Sequence, residues 1–524
     1  MSTKLRVALA ILTVINVCQC ANILMITMGG TKSHKIPYWE LARGLIPRGH
    51  NITFISPFPA DFFMPGLEEI TPAGLVFYVR NFTNWDLVGA RMRGEEPVHP
   101  LDVIRYPSEA CDEMYSDPEM KDYLFSKPDV DLIIMDGAFP ECSLGLAHHF
   151  KKPFIYINTV AFYTFSLSMA GNPVLYSVTP FLAQPLTDKM NVFQRTWNTL
   201  WYVGIESIHT YTINYMVQNV LYKHFGKSIS TIQDMTKNVS FILQNGHVTM
   251  TYPRPYLPNV AEIACIHCKP AKALPYNLEK FINGSGDAGF IYVSMGSSVR
   301  AANMPEYLRR MLIYVFRQLP QRVLWKWEAD DDMHDLSDNV MLGRWLPQQD
   351  ILGHPKIKAF VTHGGLLSMF ETVYHGVPIV TMPVFCDHDS NAAKAEVDGY
   401  ALKLELSTLT AESLLWSIKK VIHDGKYKQE VKRMQYLLKD QKESPLDRAI
   451  YWTEYVIRHR GAPHLQSTAK DLNFVQYFLL DVIAIIVLSL CISWFIMKWC
   501  LKFIYRLLMG NVNFYMFRKS IKID

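Results

Sequence analysis

Charge of one sign is scarce in this chain. The 52 Lys and Arg against 48 Asp and Glu leave a formal net charge of +4 over 524 residues, so nothing marks nucleic acid as a partner. Cysteine is scarce too. Of nine, two fall in the first twenty residues and two in or beside a C-terminal apolar run. The remaining five, Cys111, Cys142, Cys265, Cys268 and Cys386, are an odd, scattered set, which excludes a disulfide framework. Cys265 and Cys268 have CxxC spacing, but no second pair completes a zinc site; a linker disulfide or free thiols remain. A GxGxxG run is missing as well. Met28-Gly-Gly-Thr31 stops short of one, and no acidic residue follows at the right distance, which excludes a nicotinamide-binding fingerprint.

What is present begins with two apolar ends. Lys4 and Arg6 precede a short apolar run from Val7 to Val17, with Cys18 and Cys20 before Ala21, which reads as a signal peptide over residues 1–20. Residues 477–497 form the second run, long enough to cross a bilayer as a helix. Lys498, Lys502, Arg506, Arg518, Lys519 and Lys522 follow it, so the tail 498–524 is expected in the cytosol and the body on the lumenal side, a single-pass type I arrangement. Tail aromatics such as Phe503, Tyr505, Phe514 and Tyr515 suggest a segment lying on the membrane surface. Sequons at Asn51, Asn81, Asn238 and Asn283 fit a lumenal body, with Asn51 opening a strand and expected to be too buried for glycan.

Between those ends the hydrophobic pattern repeats. Short apolar runs at 22–27, 51–56, 132–135 and 153–157 alternate with helical stretches, and the pattern resumes at 289–293, 322–327, 358–362 and 378–382. Apolar strands separated by helices predict two doubly wound α/β halves. We expect an N-terminal domain over 21–250, a Pro-rich linker over 251–285, a second domain over 286–455 and a connecting segment over 456–476. A ligand cleft between the halves, at the carboxyl ends of the strands, follows from that architecture. The stretch 162–225, rich in aromatics and Met, is expected to form helices and loops over an apolar cavity.

Chemistry concentrates in 344–391. A strand ending at His363, then Gly364 and Gly365, then a helix, makes an anion site from free N–H groups and the helix dipole, with His363 as a further donor. The Ser294-Met-Gly-Ser297 turn is a second such place, and two anion turns in one domain suit a diphosphate. Glu371, two turns into that helix, is positioned to accept from ribose hydroxyls, and Trp345 to stack on a base. Asp387-His-Asp389 and Asp330-Asp-Asp332 have the DxD form that holds a metal in some enzymes; the second is expected to be a solvated loop.

The segment Trp345-Leu-Pro-Gln-Gln, Gly353-His-Pro, Phe360-Val-Thr-His-Gly-Gly, Glu371, His375-Gly-Val-Pro and Asp387-His388 resembles the signature of the family 1 UDP-glycosyltransferases. These are the animal UDP-glucuronosyl- and UDP-glucosyltransferases, and the likeness is greatest to their insect branch. Ser33-His34, Arg48-Gly-His50, Asp136, Pro140 and Asp481 extend the match along nearly the whole chain. The resemblance implies a GT-B fold: two Rossmann-like domains facing a cleft, with a C-terminal transmembrane helix. It implies an acceptor-binding first half and a UDP-sugar-binding second half. By the same match, His34 is the catalytic base and Asp136 its orienting acid. Trp345 and Gln348 hold uracil and Glu371 the ribose. Ser297, His363, Gly364 and Gly365 hold the diphosphate, and Asp387 and His388 the sugar. His363 and the helix terminus would neutralise the leaving diphosphate. No metal and no separate cofactor is expected, the UDP-sugar being a co-substrate. Position 388 departs from the Gln of most relatives; UDP-glucose is the expected donor and UDP-galactose, whose transferring relatives include some with His there, the second. The acceptor is expected to be a small lipophilic molecule with a hydroxyl, as in detoxification or lipid and hormone conjugation. The endoplasmic reticulum membrane is the expected site, with a homo- or hetero-oligomer open. The competing function is a silent carrier of lipophilic ligands, which the intact His34, Asp136, His363, Glu371 and Asp387 argue against.

Overall fold

A computed structural model describes residues 20–520 apart from Gly30, Asp61, 162–164, Ala183 and 330–332, with side chains described as far as Met509. Residues 1–19 of the signal peptide expected over 1–20, Phe162 and the Asp330-Asp-Asp332 string lie outside the described residues.

Thirteen strands among the described residues form two parallel sheets. The first holds β1 (Asn22–Ile26), β2 (Asn51–Ile55), β3 (Leu67–Ile70), β4 (Leu132–Asp136), β5 (Phe154–Asn158), β6 (Phe241–Gln244) and β7 (Val260–Glu262), in the order β3-β2-β1-β4-β5-β6-β7. The second holds β8 (Phe290–Ser294), β9 (Arg322–Lys326), β10 (Val340–Gly343), β11 (Ile357–Thr362), β12 (Ile379–Thr381) and β13 (Ala401–Lys403), in the order β10-β9-β8-β11-β12-β13. In each sheet the chain starts in the middle, works to one edge, then returns past its first strand. Such a reversal leaves a crevice at the carboxyl ends of the strands where it occurs, between β1 and β4 and between β8 and β11.

Strand sequences explain the layers. Leu24 and Ile26 of β1 enter one apolar cluster while Ile23 and Met25 enter another. In β8, Ile291 and Val293 face one layer, Phe290 and Tyr292 the opposite one. Alternate side chains leave a strand on opposite faces, so continuous apolar runs bury both.

The division of the chain differs from the expected boundaries. β7 extends the first sheet into the stretch assigned to the linker, and the helix Tyr276–Asn283 packs Leu278 and Ile282 into the second half, so the connection is 263–275. The helix Pro445–Arg458, assigned to the second domain, returns to the first. Its Ala449, Ile450 and Val456 join Tyr38 and Leu41, and Trp452 stacks on Phe241 at 4.5 Å. Arg48 and His50 find their partner there, Arg48 Nη2 donating to Glu454 at 3.0 Å and His50 Nε2 lying 3.4 Å from it. A helical period says that one face will be buried; it does not name the surface that buries it.

Two disulfides form, Cys265–Cys268 and Cys111–Cys142. The second is a pairing that the reading of an odd, scattered set did not foresee: its partners are 31 residues apart, brought together by the helix Pro100–Ser116 packing under the loop after β4. Cys386 remains a free thiol. Asn51 opens β2 as expected, yet it is exposed, as are Asn81, Asn238 and Asn283.

Residues 468–524 form a second unit. Its helix Leu480–Ser520 holds a candidate membrane span, Leu480–Met509, by length and composition. The helix starts after Tyr477 and does not stop at Met497; Lys498, Lys502 and Arg506 continue it, so the expected tail is not separate from the span.

Candidate active site

β1 ends at Ile26, and the chain turns through Gly29 into the short helix Lys32–Lys35 that carries His34. A Cβ on Gly29 would lie 2.7 Å from His34 Nδ1, so glycine is what lets the imidazole fold back over the strand end. Next in the sheet, β4 ends at Asp136, 1% exposed. Its Oδ2 stands 3.1 Å from His34 Nδ1. An ionised carboxylate only accepts, so Nδ1 carries the proton and Nε2 is left with a lone pair able to take one. Thr159, just past β5, completes the arrangement. Its hydroxyl is 2.8 Å from His34 Nδ1 and donates to Asp136 Oδ1 at 3.2 Å. Thr27 Oγ1 and the Ala138 N–H also donate to the carboxylate, at 3.2 and 2.9 Å. Neither threonine stands out in the sequence; their only signal is a position at the end of a strand beside β4.

Burial works against a charge on His34, yet the hydrogen bond and negative charge of Asp136, with a further contribution from Asp387, raise its pKa above the ordinary 6.5. A base is lost when protonated, so a raised pKa moves the loss to higher pH. We expect the acid limb of kcat/KM to have its midpoint above pH 6.5. In Asp136→Asn, activity falls and what remains has its limb at lower pH. A pH–rate profile with an acid limb well below 6.5 in the wild type would remove His34 as the titrating base.

In the second half, β11 runs into His363, Gly364 and Gly365, and the helix Leu366–His375 begins. The imidazole of His363 is wrapped by glycines: a Cβ on Gly296 would come within 2.3 Å of Cε1, and one on Gly365 within 2.3 Å of Nε2. Gly296 (φ +84°) and Gly364 (φ +86°) also occupy the left-handed region. Burial first, then the neighbouring His388 and Lys326, holds the His363 pKa well below 6.5. Beside the ring stands Lys326, the last residue of β9. Its ammonium donates to the Gly296 carbonyl and lies 3.3 Å from Glu328. Sequence reading missed Lys326 because a lysine ending a strand usually reaches solvent; here it is 8% exposed.

Gln348 opens the helix Gln348–Leu352 and donates to Glu371 Oε2 at 2.6 Å and to Ser368 Oγ at 2.9 Å. Trp345 is 72% exposed, with the ammonium groups of Lys32 and Lys326 at 5.7 and 5.6 Å from its ring centroid. An indole left open at a cavity rim is free to receive a planar ring. Asp387 immediately precedes the helix His388–Val397, and its Oδ2 accepts from Asn391 Nδ2, which also donates to the Gly364 carbonyl. The Phe385 N–H donates to His388 Nδ1, leaving Nε2–H as the imidazole's donor. Asp389, the other acid of that DxD string, is spent on Arg91 at 3.0 Å and Lys403 at 2.8 Å. Arg91 comes from the first half and also grips Glu405 at 2.7 Å, while Leu87 and Val88 beside it are buried in the second half's core. The two halves are thereby clasped across the cleft.

One cavity of about 1960 Å³ unites these groups. His34, Ser297, Trp345, Gln348, His363, Gly365, Glu371, Asp387 and His388 all line it. Asp136 and Gly364 stand behind the wall, buttressing His34 and the turn. The first half lines its share with Phe82, Tyr106, Phe139, Phe165, Trp201 and Ile205. The helices Val192–Ile208 and Asn214–Phe225 frame the region 162–225 as expected.

Residues 90–513 match the profile of the family described as "UDP-glucoronosyl and UDP-glucosyl transferase". The chain belongs to this family. It is 34% identical to UDP-glycosyltransferase UGT5 of Dactylopius coccus, over 98% of each chain. It is 31% identical to the human 2-hydroxyacylsphingosine 1-beta-galactosyltransferase, over 94% of this chain and 90% of that one. Among solved structures, a UDP-glucosyltransferase from Polygonum tinctorium aligns with a TM-score of 0.56 at 15% identity, covering 84% of this chain and 99% of that one. The calicheamicin glycosyltransferase CalG4 aligns at 0.54 and 18%, over 84% and 99%. The fold is therefore GT-B, and the enzyme is a UDP-glycosyltransferase that moves a sugar from a nucleotide donor to an acceptor.

Proposed function

We propose that this UDP-glycosyltransferase transfers a hexose, glucose first and galactose second, with inversion, to a hydroxyl on a small lipophilic acceptor. The observation that carries the reading is the shared cavity: an Asp-buttressed imidazole on one wall, an anion turn on the other. The acceptor hydroxyl gives its proton to His34 Nε2 as its oxygen bonds to the anomeric carbon. The bond from that carbon to the β-phosphate oxygen breaks on the opposite face, and UDP departs toward Gly364, Gly365 and the helix behind them. Those N–H groups, the His363 imidazole and Lys326 stabilise the leaving diphosphate, and the proposed route uses no metal or separate cofactor. Uracil rests on Trp345 beside Gln348, the ribose on Glu371, and the sugar between Asp387 and His388. The aromatic and aliphatic wall of the first half selects apolar acceptors, which partition into lipid. That chemistry fits conjugation of foreign compounds or endogenous lipids, and the apolar helix fits a membrane enzyme with a lumenal body, in the endoplasmic reticulum.

Release of UDP measured against phenols and sterols, with UDP-glucose, UDP-galactose, UDP-glucuronate and UDP-N-acetylglucosamine as donors, tests the reading. UDP-glucose is expected to give the highest kcat/KM. His388→Gln is expected to change the donor ranking, because Gln replaces a lone Nε2–H donor with an amide that both donates and accepts. An unchanged ranking would show that position 388 does not face the sugar. No turnover with any donor would defeat the proposal.

A further inference from the structure

His267 lies inside the four-residue ring closed by Cys265–Cys268. Cys265 has φ +66°, which curls the chain back, and the Cys268 N–H donates to the Cys265 carbonyl at 2.9 Å. The imidazole is 3% exposed, and neither ring nitrogen has a hydrogen-bond partner. Its Nε2 stands 3.4 Å from Glu371 Oε1, while the other Glu371 oxygen accepts from Gln348. Gln349 ties the ring to the same place. Its Nε2 donates to the His267 carbonyl at 3.0 Å and its Oε1 accepts from the Lys269 N–H at 2.7 Å. The interdomain connection, the helix Gln348–Leu352 and the Glu371 carboxylate are thus one assembly.

An unpartnered buried imidazole is costly, and such a group asks for a reason. Packing of the connection alone would be served as well by an apolar ring. The reason offered by the geometry is the carboxylate at 3.4 Å. Gln348 fixes one oxygen of Glu371, which leaves the carboxylate free to rock about that contact. A second donor on the other oxygen would fix its plane. A ribose presents two adjacent hydroxyls, and a carboxylate accepts from both only when its plane is held.

We infer that His267 is a positioning residue for Glu371: on nucleotide binding, Nε2–H closes onto Oε1 and sets the carboxylate for the ribose diol. This rests on the reading of Glu371 as the ribose acceptor. Hydrogen bonds of this kind are often long before ligand arrives and tighten with it. The disulfide ring is the support that brings a residue of the connection to the donor site of the second half.

Calorimetric titration of the full-length protein in detergent with UDP and with 2′,3′-dideoxy-UDP provides the test. His267→Phe keeps the volume and removes the donor. It is expected to weaken UDP about tenfold, in line with loss of a hydrogen bond to a charged group, while dideoxy-UDP binds as it does to the wild type. His267→Gln, which can still donate, is expected to recover most of the preference for UDP. In a Glu371→Ala background, His267→Phe is expected to leave the UDP to dideoxy-UDP ratio unchanged. Equal weakening of both nucleotides would assign His267 to packing and overturn the inference, as would no change in either. Failure of the wild type to bind UDP would overturn the reading of the site itself, and wild-type affinities equal for the two nucleotides would remove Glu371 from the ribose.

Discussion

Replacing His34 with alanine lowers turnover by about 10²–10⁴-fold, the range supplied by a general base, and leaves UDP affinity within about twofold. That loss corresponds to about 3–5 kcal/mol of barrier. The proposed base and the proposed diphosphate turn are carried by different halves, so removal of the imidazole leaves the nucleotide contacts in place. The ring is 22% exposed on its side chain, so a cavity at His34 fills with water and costs little stability. The measurement is initial-rate UDP release beside calorimetric UDP binding. Turnover that survives the substitution, or UDP affinity that falls with it, would separate His34 from the chemistry.

Gly365→Ala has the opposite signature: a UDP dissociation constant raised about a hundredfold, the scale of a displacement near 1 Å in a site that must be held to geometry. The new methyl would sit 2.3 Å from His363 Nε2. The ring cannot retreat, because Gly296 closes its other side and His388 lies edge-on with centroids 4.5 Å apart. Either the imidazole or the turn must move, and both are proposed donors to the diphosphate. Thermal melting distinguishes this from unfolding, since overpacking of this kind costs about 1–3 kcal/mol. A variant that melts near the wild type and binds UDP equally well would place the diphosphate elsewhere.

The ends of strands were the most readable part of this protein. His363 after β11 could be placed from an apolar run and two glycines, and His34 and Asp136, singled out by the family resemblance, follow or end apolar runs as well; a doubly wound sheet sends such residues into the crevice. Gly364-Gly365 before a helix announced an anion turn by backbone chemistry. What could not be read were partners. Thr159 and Lys326 look ordinary in sequence and acquire roles only beside Asp136 and Gly296. The helix Pro445–Arg458 showed its amphipathic period but not that it crosses back to the first half. Cys111 and Cys142 were two of five scattered cysteines until a helix brought them together.

Sequence by itself determined two alternating α/β halves, the turns that would face one another, and the apolar segment near the end. Those depend on local chemistry: hydrophobic period, glycine at a strand-to-helix turn, length against bilayer thickness. The tertiary structure decided the rest, namely the burial of His363 between glycines, the buttressing of His34, the clasp of Arg91 across the cleft and the approach of His267 to Glu371. Charge state and hydrogen-bond pairing depend on which groups burial brings within a few ångströms, and that distance is a property of the folded chain.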